Sequence, residues 1–144
     1  MAQGIGNIDP ALYSPLNLAF LGDGVYSLMV RTRLVAECNR PAHTLNKLAS
    51  GKVCAVCQSA DYYRLLPFLN EEELKIIKRG RNANPSQKAK NATVAEYRNA
   101  TGLETLVGYL YLKGDNERLE EIFNLIWDEV TYEESAEEPA DEKC

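Results

Sequence analysis

Asn70-x-x-Glu73 and Thr93-x-x-Glu96 are both capping boxes. In such a box the N-cap side chain accepts from the third helical N–H, and the acid at that third position accepts from the N-cap N–H. Each box opens a run with helical spacing, and glycine closes each run, at Gly80 and at Gly114. Pro15 suits the first turn of an earlier, longer helix reaching about Cys38, since its missing N–H would have no partner there anyway. Another helix is expected from near Thr44 to just before Pro67, carried by Leu45, Leu48, Val53, Val56, Ala60 and Tyr63. Asp115 caps a last one, with Leu119, Ile122, Phe123, Ile126, Trp127 and Val130 on its apolar face. Alternating runs and Asn-Gly hairpin turns are missing, so the fold class is all-α.

At 144 residues and 45% hydrophobic content the chain makes one domain with a genuine core. Its longest apolar run, around Leu18 to Leu21, is far shorter than the roughly 20 residues of a membrane span. The N-terminal residues lack the basic and apolar regions of a secretion signal, so a soluble cytoplasmic protein is expected, with no membrane partner. The net charge of −5 is segregated. Six acids and one base crowd into residues 132–144, which read as an acidic, disordered tail behind a folded domain of residues 1–131. Lys78 to Arg98 is the opposite, with six bases against Glu96 alone. Its middle, Arg81 to Ala92, has no apolar periodicity and contains a proline, so it reads as a basic loop between two helices. A loop of this kind suits phosphate contact, though solvated surface charge explains it equally.

Cys54 and Cys57 form a C-x-x-C pair, but a zinc site would need further ligands and only Cys38 and His43 remain near. No β-α-β pattern surrounds the pair, as a thioredoxin-like site would require. The expectation is two small apolar side chains one turn apart on a helix, with reduced thiols.

Two acids stand out. The first long helix is apolar nearly all round: Leu18, Leu21, Val25, Leu28, Met29 and Ala36 on one side, Leu16, Phe20 and Val30 on the other. Such a helix is buried, between the core and a second subunit. Asp23 falls on the second stripe between Gly22 and Gly24, where a carboxylate needs a compensating partner. A salt bridge or cap would serve, and so would a divalent cation. Glu104 lies in the most apolar part of a later helix, between Gly102 and Gly108, which suggest close approach of another backbone. Two such acids could share a cation, and oxygen ligands point to Mg²⁺ or Mn²⁺ rather than zinc. With a basic segment nearby, the combination suggests metal-assisted phosphodiester hydrolysis.

Leu18-Ala19-Phe20-Leu21-Gly22-Asp23-Gly24-Val25-Tyr26 resembles the signature helix of the ribonuclease III family. Together with Arg79-Gly80-Arg81-Asn82-Ala83 and the stretch from Tyr97 to Tyr109, it is similar to the Mini-ribonuclease III branch, which has a catalytic domain and no double-stranded-RNA-binding domain. The similarity covers roughly Asp9 to Val130. The resemblance implies a helical endonuclease domain, a homodimer, Mg²⁺-dependent cleavage of double-stranded RNA, and maturation of the large-subunit (23S) ribosomal RNA precursor, with a ribosomal protein as a further candidate partner. It assigns catalysis and metal binding to Asp23 and Glu104. RNA contact is expected from Arg79, Arg81, Asn82, Asn84, Lys88, Lys90 and Arg98. Full-length ribonuclease III carries further acids where Leu16, Ala19 and Thr101 stand here. That departure keeps a second reading open, a catalytically silent RNA-binding scaffold on the same fold.

Overall fold

A computed structural model of the chain describes residues 8–83 and 92–137, with side chains as far as residue 127. Among these residues there are six α-helices and no strand: α1 Pro15–Glu37, α2 Ala42–Val53, α3 Ala55–Leu65, α4 Glu71–Asn82, α5 Val94–Lys113 and α6 Asn116–Glu137. Both capping boxes are present, Asn70 with Glu73 at 2.8 and 3.0 Å and Thr93 with Glu96 at 3.1 and 2.9 Å. Gly114 ends α5 in the left-handed conformation, φ 79°, where L side chains are strained. Asp115 accepts from the Arg118 N–H and so caps α6.

Three boundaries differ from the sequence reading. The single helix expected from Thr44 to Pro67 is two helices, broken where Cys54 turns extended (φ −69°, ψ 151°) and becomes the N-cap of α3. Cys54 and Cys57 are joined by a disulfide rather than standing as reduced thiols. Gly80 does not stop α4, which runs on to Asn82; it lies buried inside the helix, where a Cβ would meet the Thr105 side chain. The last helix continues past the boundary expected at residue 131, to Glu137, and the rest of the acidic tail lies outside the described residues.

Helix α5 is the centre of the bundle, packed against α1, α3, α4 and α6. From Asn99 to Leu110 every residue except Glu104 is buried. Two of its glycines admit neighbouring backbones, as their spacing suggested. A Cβ on Gly108 would lie 2.0 Å from the Leu18 carbonyl oxygen of α1, and one on Gly102 would lie 2.8 Å from the Ile77 carbonyl oxygen of α4. Helix α6 closes over α1 through Arg33, which bonds Glu120 and Asn124 and lies 5.3 Å over the Phe123 ring. In the first turn of α6, Arg118 ties the helix to the buried Glu73 of α4 at 2.7 Å. Leu18, Val25, Tyr26, Val30 and Leu34 of α1 enter the core. Val30 therefore does not share an open stripe with Phe20, which is 85% exposed.

Candidate active site

A close crossing of two backbones sets up the acid pair. Gly22 of α1 crosses α5 so tightly that a Cβ there would lie 1.7 Å from the Glu104 carbonyl oxygen and 2.9 Å from the Gly108 nitrogen. Only two glycines opposite one another allow that approach. It brings Asp23, the next residue on α1, against the Glu104 side chain. The half-buried Glu104 carboxyl is pushed up to about 8: burial disfavours its charge, and the negative charge of Asp23 and a hydrogen bond with it act in the same direction. At neutral pH Glu104 therefore favours its neutral, protonated form. Asp23 itself is exposed, not buried as its place on the helix wheel suggested, because none of the other described residues covers the Phe20 side of α1.

One turn beyond Asp23, Tyr26 anchors α1 to α3. Its hydroxyl donates to Asp61 at 2.9 Å, and burial followed by the Asp61 charge raises it far above the ordinary phenol range. Asp61 is itself raised, by burial, despite the Tyr26 and Arg64 hydrogen bonds that favour its charge. This brace has no clear mark in the sequence.

Two carboxyl groups brought this close, one of them held neutral by burial and by the other's charge, suit a hard divalent cation, which would displace the Glu104 proton and offset both charges. Among the described residues no group of three or more His, Cys, Asp or Glu gathers. With only these two carboxyl groups among the described residues to hold it, a bound cation would keep several waters. The three positions without acids are otherwise occupied. Thr101 is buried and donates to the Tyr97 carbonyl at 3.0 Å, Ala19 is buried, and Leu16 is a partly exposed apolar side chain.

The basic residues do not behave alike. Arg79 donates to the Ala11 and Tyr13 carbonyls at 2.7 and 3.3 Å and so pins the N-terminal segment. Arg81 is half-buried, its Nε donating to Asn99 at 2.9 Å. Asn82 is exposed at the end of α4, and Arg98 is half-buried early on α5. Asn84, Lys88 and Lys90 lie outside the described residues. Between α1, α5 and α6 lies an apolar groove of about 760 Å³, lined by Leu21, Gly24, Leu28, Tyr111, Leu119 and Trp127.

Residues 16–115 match the ribonuclease III domain. The chain belongs to the ribonuclease III family and is an endoribonuclease of that class. Within the family its relatives are Mini-ribonuclease 3 proteins. That of Brevibacillus brevis is 49% identical over 114 residues, covering 79% of this chain and 85% of the relative. That of Thermoanaerobacter is 47% identical over 112 residues, covering 78% and 79%. A crystal structure of a protein from Fusobacterium nucleatum superposes with a TM-score of 0.74 at 36% identity, covering 81% of this chain and 93% of that one. No helix among the described residues is long and apolar enough to cross a membrane.

Proposed function

We propose that the chain is a homodimeric, divalent-cation-dependent endonuclease for double-stranded RNA, with Mg²⁺ the working ion and the 23S ribosomal RNA precursor its substrate. The observation that carries the reading is the Asp23–Glu104 pair, held together by the Gly22–Gly108 crossing, with Glu104 lifted to about 8. A cation bound there would supply Lewis acidity toward a phosphoryl oxygen and a water more acidic than bulk water. Asp23, exposed, faces the side from which a duplex can approach, while Glu104 gives up its proton when the cation is taken. Thr101, turned back onto its own helix, contributes no charge.

Cutting both strands of a duplex needs two acid pairs related by a two-fold axis. Phe20, 85% exposed, and the apolar groove along Leu21, Gly24 and Leu28 both lie on α1, a projection and a recess that an isologous contact between two copies would use. Arg81, Asn82, Arg98 and the basic loop would then meet phosphates and 2′-hydroxyls across the minor groove.

Asp23→Asn and Glu104→Gln test the reading in a cleavage assay on long duplex RNA with and without Mg²⁺. Each should lower cleavage about a thousandfold or more while duplex binding persists. Near-normal cleavage by either variant would overturn the site. The silent-scaffold reading requires duplex binding without Mg²⁺-dependent cleavage by the unsubstituted chain.

A further inference from the structure

Asn99 is an amide in the middle of the core, 1% exposed, and it uses both ends of its side chain. Its Nδ2 donates to the buried Ser59 hydroxyl of α3 at 3.0 Å, and its Oδ1 accepts from Arg81 Nε of α4 at 2.9 Å. Three helices therefore converge on one polar side chain. Burying an amide costs free energy unless its bonds are made, so an apolar residue would serve the packing as well. The contact it makes with Arg81 is specific. It takes the single Nε–H of the guanidinium and leaves the two terminal nitrogens without a hydrogen-bond partner among the described residues. Arg81 cannot shift sideways either, because its backbone and Cβ rest on Gly102, where a Cβ would lie 3.3 Å from each. Along α5, Asn99 lies five residues before Glu104, an axial distance of about 7.5 Å.

We infer that Asn99, backed by Ser59, is a positioning residue for RNA: it fixes the Arg81 guanidinium by Nε so that its terminal fork meets a phosphate of the duplex beside the one being cut. This rests on the endoribonuclease reading and deepens it. A long cation ordered before the substrate arrives loses less freedom on binding than a free one. The relay turns Arg81 from a mobile charge into a fixed fork at a set height along α5.

The test is a double-mutant cycle on the full chain, with binding to a 30-base-pair RNA duplex measured against salt in the absence of divalent cations. Asn99→Ala could unfold the protein by stranding Ser59, so the principal variant is Asn99→Leu with Ser59→Ala, which removes both polar partners and keeps the volume. Expected is a loss of affinity of about three- to tenfold, and a slope of log affinity against log salt lower by about one, with thermal stability nearly unchanged. In an Arg81→Ala background the same pair should change affinity less than twofold, because the residue it acts through is gone. Equal losses in both backgrounds, or lost stability with affinity and slope intact, would overturn the inference. Unchanged affinity in Arg81→Ala itself would overturn it too, while leaving the nuclease reading to the Asp23→Asn assay.

Discussion

Gly108→Ala adds one methyl group at the crossing of α1 and α5. The new Cβ would start 2.0 Å from the Leu18 carbonyl oxygen, and ordinary contact begins near 3.4 Å, so the two backbones must part by about 1.4 Å. Neither partner is a side chain that could rotate aside. Overpacking of this kind costs about 3 kcal/mol at the upper end of its range, and the better helix propensity of alanine returns about 1. The net of about 2 kcal/mol corresponds to a fall in melting temperature of about 7 °C for a domain of this size. The effect on cleavage should be larger than the effect on stability. Separation of α1 from α5 separates Asp23 from Glu104, and a misplacement of about 1 Å in a reacting constellation costs about a hundredfold. Circular dichroism melting gives the first number, and single-turnover cleavage at a temperature where the variant is fully folded gives the second. Gly51→Ala is the control, since nothing lies within 4 Å of its Cβ position and alanine there should stabilise by about 0.5–1 kcal/mol. A Gly108→Ala protein that melts within about 1 °C of the parent and cuts within about twofold of it would refute the reasoning.

Three further outcomes are expected. Because the Glu104 carboxyl is raised to about 8 in the fold, the cation-free protein binds more protons than its unfolded chain between pH 4.5 and 8. Its stability should therefore fall as pH rises through that window, and Glu104→Gln should flatten the dependence in differential scanning calorimetry; across the same window, cation affinity should climb with pH and calorimetry in two buffers should report proton release. Phe20→Glu, at an 85% exposed position, should convert a dimer to monomers in sedimentation without unfolding them, whereas an unchanged dimer would place the interface elsewhere. Lys88→Ala with Lys90→Ala should weaken duplex binding and reduce its salt slope by about two, with melting unchanged.

Local chemistry was enough to read most of the fold. Capping boxes, a terminal glycine and a first-turn proline act within a few residues, so the starts of α1, α4 and α5 and the end of α5 are visible in the letters themselves. Gly102 and Gly108 could be read as close approaches because a helix interior tolerates glycine only for a reason. Gly80 misled for the same cause: a stop and a packing notch look identical until Thr105 of another helix is seen against it. The break at Cys54 has no proline to announce it, and Gly51, three residues earlier, lies inside α2 and does not mark the boundary. For the site, both acids could be picked out, but not their unequal burial. That depends on which side of an almost uniformly apolar α1 finds a partner within the chain, and no wheel reveals it. Asn99 escaped notice because a single amide in a buried run carries no spacing; its meaning comes from Ser59 and Arg81, forty residues upstream and eighteen residues upstream.

The unbroken burial of α5 from Asn99 to Leu110, interrupted only at Glu104, also bears on how the site is lost. Amides on a helix enclosed by four others exchange with solvent only when the whole domain opens, while chain ends and outer helices exchange through smaller fluctuations. Glu104 thus rides on the segment with the least access to partial opening, and α1 is held to it by a close main-chain crossing as well as by buried side chains. Fraying at either end of the domain leaves the two carboxyl groups facing each other. Activity should then persist up to the cooperative melt and vanish with it, rather than fade beforehand as it does in enzymes whose catalytic groups sit on loops.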